Sequence, residues 1–408
     1  MITRKPLPKY LGVVAFGVKM GVILPGDDIV KIVFDAVKKC HEDNLIDNND
    51  IICVKENVVA RSQNNFVTLE YVAQEIRQKL HLSEKGHVGV LFPIVSRNRF
   101  MPILKSIARA TKKGMVTVQL SFPTDEVGNQ TVPESALPDL CKTLNDKITL
   151  IDLGDRCFLH PITGVDYIRL YKETIENEGA KSDIFLCNDP REIIRHKPEA
   201  IIISNIHGRE KTKKEITQLF SNCITLQEIC NDQNHSAWSE WGLYGSNLMA
   251  ENRLKLAPRE SNKISKQIQQ KIGEELGVKV EVIIYGDGAY KDPSTGIFEL
   301  ADPETYFGLT DGLKDAMRAG VKYKWLVDNL HMQGKARGHI EKEIEARKKE
   351  LYERDSMFME GTTPRPMADV VSSLADLVSG SADAGTPVIV VKGLFSRRYR
   401  IGHRDQKH

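Results

Sequence analysis

Apolar residues at 29, 30, 32, 33, 36 and 37 in PGDDIVKIVFDAVKKCHEDN recur at helical spacing and predict a helix. DNNDIICV reads as a turn into a short apolar strand, and VTLEYVAQEIRQKL as a second helix. From about residue 86 to 235 the pattern becomes strand–helix alternation. The strands are VGVLFPI, MVTVQLS, KITLIDLG, SDIFLC and EAIIISN; the helices are NRFMPILKSIARATKKG, ended by Gly114, VDYIRLYKETIENEG and GREKTKKEITQLF. Such alternation predicts a parallel, three-layer α/β unit. Beyond it, RESNKISKQIQQKIGEEL puts Ile264, Ile268, Ile272 and Leu276 on one helical stripe that leads through Gly277 into the strand VEVIIY. HIEKEIEARKKELYERD reads as a helix with a solvated, charged face. A last helix is predicted from Thr363 as N-cap and Pro364 at its first position to Gly380. Its apolar face is Met367, Val370, Val371, Leu374, Leu377 and Val378, read as core packing. The small-residue loop SGSADAG then feeds the strand TPVIVVKG.

Composition narrows the function classes. With 408 residues and 41% apolar content, the chain is long enough for two or three domains with ordinary cores. A net charge of +2 argues against a nucleic-acid binder driven by bulk charge. No apolar run approaches the roughly 20 residues that span a bilayer. MITRKPLPKYLG lacks an apolar signal core, and the seven cysteines form no CxxC pair. These features predict a cytoplasmic protein with reduced thiols, neither membrane-bound nor bound to nucleic acid. The signatures HExxH and GxSxG are absent.

Two stretches carry candidate chemistry. After the apolar run to Tyr285, YGDGAYKDPSTG places Gly286, Asp287, Gly288, Lys291 and Asp292 within a few residues. A surface turn accounts for this, because Gly tolerates positive φ and Asp bonds its own backbone. A phosphate or metal site accounts for it equally, with glycine N–H groups near an anion and a carboxylate at a strand end. The dinucleotide fingerprint fails at Lys291, and no GxxxxGK[ST] occurs. SGSADAG, carrying Asp383, repeats the same chemistry. In the central region, SNIHGREKTKKE places His207, Arg209 and Lys211 at a helix start, a weaker anion-site candidate. HPITGVDY, with His160 and Tyr167, is weaker still.

Five blocks resemble the coenzyme F420-0:γ-glutamyl ligase family in a long bacterial form: GVKMGVILPGDDI, NDIICVKENVVARSQN, GLYGSNLMAENRLKLAPRESNKISKQI, YGDGAYKDPSTG and SLADLVSGSADAGTPVIVVKGL. They cover about half the chain, and the last two are the most specific. The resemblance implies an α/β protein with an α+β ligase core in two parts, residues 1–85 and 236–408, around an inserted three-layer α/β region at 86–235. It implies amide formation between L-glutamate and a carboxylate of F420-0 or, equally, a folate. GTP or ATP and Mg2+ or Mn2+ would be needed, the path an acyl phosphate, and the protein a homodimer.

Carried over residue by residue, the resemblance places Gly17, Val18, Lys19, Met20, Glu56, Asn57, Arg61, Asn247 and Ser379, Gly380, Ser381, Ala382, Asp383, Ala384, Gly385 and Thr386 at the nucleotide. It places Asp287 and Asp383 at metal, and Lys291 and Arg61 as the cations facing phosphate. Three positions depart from the family pattern: Tyr244 replaces a metal-binding Asp, Asn57 a Lys and Gly288 a Thr. Either other carboxylates (Asp292, Asp302, Glu251, Asp383) take over, or nucleotide, metal count or acceptor differs. Two other readings stand beside the ligase: a non-catalytic nucleotide-binding protein that has lost part of its metal site, and separate chemistry in the 86–235 unit.

Overall fold

Strand Ile51–Lys55 turns Ile51 and Cys53 to one side and Ile52 and Val54 to the other, and all four are fully buried. A strand apolar on both faces must be covered on both. The computed structural model, which describes residues 10–287, 301–318, 322–350, 365–379, 385–394 and 398–400, shows how. Five strands lie side by side in the order Val14–Val18, Val388–Lys392, Ile51–Lys55, Glu281–Tyr285, Tyr306–Leu309. Only the pairing of Ile51–Lys55 with Glu281–Tyr285 is parallel. Ile52, Val54, Val282, Ile284, Val388 and Val390 pack against helices Ile29–Glu42 and Ser261–Leu276. Ile51, Cys53, Ile283, Tyr285, Ile389 and Val391 pack against helix Met367–Ser379. Segments from the start, middle and end of the chain therefore share one core.

The predicted elements hold, apart from these changes. VTLEYVAQEIRQKL is helical only from Leu69, because Phe66–Thr68 is a strand, and residues 351–355 of HIEKEIEARKKELYERD lie outside the described residues. Thr363 and Pro364 lie outside the described residues; Arg365–Pro366 is a strand paired with Ala316–Arg318, and the helix starts at Met367. That helix seats Met367, Val371, Ala375 and Ser379 against the sheet, while Leu377 is 82% exposed. The small Ala and Ser on this ridge let the helix lie close, which displaces the larger residues to the flank. KITLIDLG is a strand only at Ile148–Thr149, because Thr149 and Asp152 form a capping box that starts a short helix. Finally, helix Phe100–Ala110 stops well before Gly114.

Residues 87–225 supply a six-stranded sheet in the order Ile148–Thr149, Lys181–Leu186, Met115–Leu120, His87–Leu91, Ala200–Ile203, Cys223–Thr225. Every pairing except the first is parallel. Helices Leu69–Lys79, Phe100–Ala110 and Tyr167–Asn177 share one core cluster with this sheet, and Ile193 and Ile216 cover its other face. The chain runs one way from His87–Leu91 to Met115–Leu120 and the other way to Ala200–Ile203, so the strand order reverses between the first and fourth parallel strands. All seven cysteines are free and five are buried. Among the described residues no helix is long and apolar enough to cross a membrane.

One close approach fixes the core. A Cβ on Gly308 would lie 2.3 Å from the Ser261 carbonyl carbon and 2.6 Å from the Asn262 nitrogen, both backbone atoms at a helix start. Gly308→Ala is expected to destabilise the fold by about 1–3 kcal/mol through overpacking, read as a lower urea midpoint. An unchanged midpoint would show that the helix can move off the strand freely.

Candidate functional site

Strands Ile51–Lys55 and Glu281–Tyr285 run parallel and end together, with Lys55 opposite Tyr285. Lys55 Nζ lies 5.0 Å from the centre of the Tyr285 ring. It donates to Gly286 O at 3.0 Å, Asp287 Oδ1 at 3.4 Å and Asp376 Oδ1 at 2.7 Å. Asp287 in turn pairs with Arg99, which bridges to Asp302 Oδ1 at 2.7 Å. The Asp302 carboxylate also accepts the Asp287 backbone N–H at 2.8 Å. The result is a chain of alternating charge, Asp376–Lys55–Asp287–Arg99–Asp302, drawn from five separated segments.

Burial and neighbours set the charges of this chain. Burial works against ionised Asp287, but the Arg99 and Lys55 cations outweigh it and hold its carboxyl below the usual range. Asp302 is almost wholly buried, and burial pushes its carboxyl upward against the pull of Arg99. Burial likewise opposes the charge of Lys55 and of Arg99, and the neighbouring carboxylates more than restore it. Both cations stay protonated. Tyr285 is pushed up to about 12, chiefly by burial.

The first turn and the closing segment meet beside this chain. Met20 N donates to Gly385 O at 2.8 Å, and a Cβ on Gly17 would lie 2.9 Å from Thr386 Cβ. Ser379 Oγ donates to Thr386 O at 3.0 Å. The Tyr285 hydroxyl and Thr386 Oγ1 are buried and have no hydrogen-bond partner among the described residues. Val18 pairs with Val388, so Gly17–Met20 and Gly385–Thr386 form one edge. Gly380, Ser381, Ala382, Asp383 and Ala384 lie outside the described residues, as do Gly288, Lys291 and Asp292.

The remaining candidates are placed less uniformly. Glu56 starts helix Glu56–Ser62, but its carboxylate is buried in an ion pair with Lys255 Nζ at 2.7 and 2.9 Å. Asn57 and Lys19 are exposed, and Arg61 is half-buried. Asn247 pairs with Lys255 in a hairpin, next to that ion pair, and Leu248 N donates to Asn98 O at 2.7 Å. Glu251 is exposed at the hairpin turn. The Tyr244 hydroxyl donates to Asn205 O at 2.8 Å, inside the six-stranded unit. His160 is buried and edge-on to Tyr167.

Arg99, Lys55 and Asp376 are the residues of the charged chain that sequence reasoning missed. Lys55 adjoins the Glu56–Arg61 segment, and its place at a strand end was the available signal. Nothing local marks Arg99, which stands in the loop after His87–Leu91 and reaches Asp287 and Asp302 only through the fold. Among the described residues no group of three or more His, Cys, Asp or Glu is placed to hold a metal. Asp287 and Asp302 are both engaged by Arg99, whose guanidinium bridges them.

A family model described as F420-0:Gamma-glutamyl ligase matches residues 17–393 of the chain. No curated protein matches it.

Proposed function

The chain belongs to the F420-0:γ-glutamyl ligase family, whose members form amide bonds with glutamate, and from that premise we propose a nucleotide-dependent route with F420-0 or a folate monoglutamate as acceptor. The observation that supports it is that the first turn, Lys55, Asp287 and the Ser379–Thr386 ends meet at one end of the five-stranded sheet. In this reading the acceptor carboxylate attacks the γ-phosphorus of GTP or ATP, giving an acyl phosphate and a nucleoside diphosphate. The uncharged amine of L-glutamate then attacks the acyl carbon, releasing phosphate and one proton.

Phosphoryl transfer asks the protein for position and for positive charge near the transferring oxygens. Lys55 and Arg99 supply two cations held in place by carboxylates on either side. Arg61 and Lys291 are the further cations assigned to phosphate. Asp287 and Asp302 would hold a single Mg2+ or Mn2+ only with the Arg99 guanidinium moved from between them, and the ion would supply charge neutralisation for the phosphates. Gly17–Met20 and Gly385–Thr386 offer backbone groups to the nucleotide, and with them the Thr386 hydroxyl, which has no partner among the described residues.

A mass-spectrometric ligation assay tests this reading, with L-glutamate, GTP or ATP, Mg2+ or Mn2+, and either F420-0 or tetrahydrofolate monoglutamate. The expected result is an acceptor heavier by one glutamyl unit, with nucleotide hydrolysed in step. A second reading, binding without catalysis, is favoured by Tyr244, whose hydroxyl is bonded to Asn205 O, and by Arg99 lying between Asp287 and Asp302. Nucleotide binding with no product from either acceptor is the result that would select it.

A further inference from the structure

The central unit carries a second concave site that the ligase reading does not use. In open parallel sheets, ligands bind beyond the carboxyl ends of the strands where the strand order reverses. Here that point lies between His87–Leu91 and Ala200–Ile203. An open cleft of about 390 Å³ sits there, lined by Phe92, Ser121, Glu126, Asn188, Asn205 and Lys211 among others. Its volume falls in the range of small-molecule sites, roughly 300–1,000 Å³.

Three successive backbone amides converge at one side of this cleft, ahead of helix Arg209–Thr217. Ile206 N and His207 N donate to Glu126 Oε2 at 2.5 and 3.0 Å, and Gly208 N donates to Glu126 Oε1 at 2.5 Å. Consecutive N–H groups at a helix start form an anion-binding concavity. Position 208 has little room for a side chain: a Cβ there would lie 2.7 Å from Asn205 Nδ2 and 3.1 Å from Glu126 Oε1. The chain's own carboxylate thus occupies the position that a ligand anion would take.

Asn205 is the independent sign of an absent partner. It lines the cleft, is 5% exposed, and donates from Nδ2 to Thr212 Oγ1 at 3.0 Å. Its Oδ1 is buried with no hydrogen-bond partner among the described residues. A buried acceptor without a donor is costly, and a ligand hydroxyl or amine in the cleft would satisfy it. We propose that this cleft binds a small anionic molecule whose phosphate or carboxylate takes the amides of Ile206, His207 and Gly208 from Glu126, with a donor group reaching Asn205. Lys211, exposed at the rim with no partner among the described residues, adds charge of the right sign.

The site also touches the ligase side. Asn205 O accepts the Tyr244 hydroxyl, and the Arg209 guanidinium lies over the Trp241 and Tyr244 rings at 5.7 and 5.2 Å. The test nevertheless reads binding alone, so its outcome is separate from that of the ligation assay. Inorganic phosphate and L-glutamate are titrated by calorimetry into the full chain and into Glu126→Gln. Gln keeps an acceptor oxygen but loses the charge, and charge-assisted bonds are about twice as strong as neutral ones. One of the two probes is expected to bind Glu126→Gln at least about tenfold more tightly than wild type. Phosphate as the responding probe assigns a phosphorylated ligand, and L-glutamate a carboxylate ligand. Gly208→Ala in the Glu126→Gln background should abolish the gain. Should Glu126→Gln not fold, Lys211→Ala, which trims an exposed side chain, must weaken binding of the responding probe to the otherwise unaltered chain. Neither probe binding the wild type or a folded variant, or equal affinity in all of them, overturns the proposal.

Discussion

Arg99→Ala is expected to lower both stability and ligation, by about 3–5 kcal/mol and by 10²–10³-fold respectively. The side chain is 19% exposed and bonds two carboxylates, one of them 2% exposed. Removing it leaves Asp287 and Asp302 facing each other without the cation between them. Breaking a buried pair by deleting one partner costs far more than the pair contributes, because a charge is left uncompensated. The pH dependence has a definite sign. Burial already pushes Asp302 upward, and without Arg99 only the hydrogen bond from the Asp287 backbone N–H opposes it. A carboxyl whose folded pKa exceeds its unfolded value, about 3.9, is stabilising when protonated, and that contribution is lost as pH rises through the folded value. The deficit of Arg99→Ala should therefore be largest near neutrality and shrink as pH falls toward 4. Arg99→Lys keeps the charge but not the two-armed fork, so it should recover part of the stability. Urea unfolding at pH 5 and 7, beside the ligation assay, decides it. Wild-type midpoints and turnover in Arg99→Ala would remove Arg99 from both roles.

How far this was readable beforehand differs from element to element. Helices Ile29–Glu42 and Ser261–Leu276 were legible because their apolar residues recur at helical spacing against one sheet face. The parallel central sheet was legible from alternating apolar runs and amphipathic helices. Asp287 was singled out because glycines and an aspartate follow an apolar strand. Arg99 was not, since its significance comes from a contact with Asp302 more than 200 residues away, and an Arg before an amphipathic helix has no local mark. Glu56 shows the converse. Its neighbours suggest a ligand contact, but Lys255 on the hairpin claims its carboxylate. The aromatic residue at 244 was read as a lost carboxylate. Only the fold shows that its hydroxyl has another task, bonding the carbonyl of Asn205 across to the six-stranded unit.

Asp287 and Asp302 share Arg99, yet their alanine variants are expected to fail in different ways. Asp287 is 42% exposed at its side chain. When it is removed, Lys55 keeps Gly286 O and Asp376, and Arg99 keeps Asp302. The Asp287 backbone N–H still donates to Asp302. Asp287→Ala should thus change stability by no more than about 1 kcal/mol, the scale of an exposed ion pair. Its effect belongs to turnover. The variant loses the carboxylate that poises both cations, and a loss of about 10²-fold or more is expected. Asp302→Ala removes a carboxylate that is 2% exposed, leaves the Arg99 guanidinium with Asp287 as its one remaining carboxylate among the described residues, and leaves the Asp287 N–H without its acceptor. That combination should cost about 3–5 kcal/mol, so the protein should unfold at markedly lower urea. Thermal melts and nucleotide hydrolysis on the two purified variants separate the roles. A folded Asp287→Ala with wild-type hydrolysis would sink its place in the chemistry. Equal destabilisation of both variants would show instead that the charged chain is a scaffold throughout, with the reacting groups carried elsewhere on the edge formed by Gly17–Met20 and Gly385–Thr386.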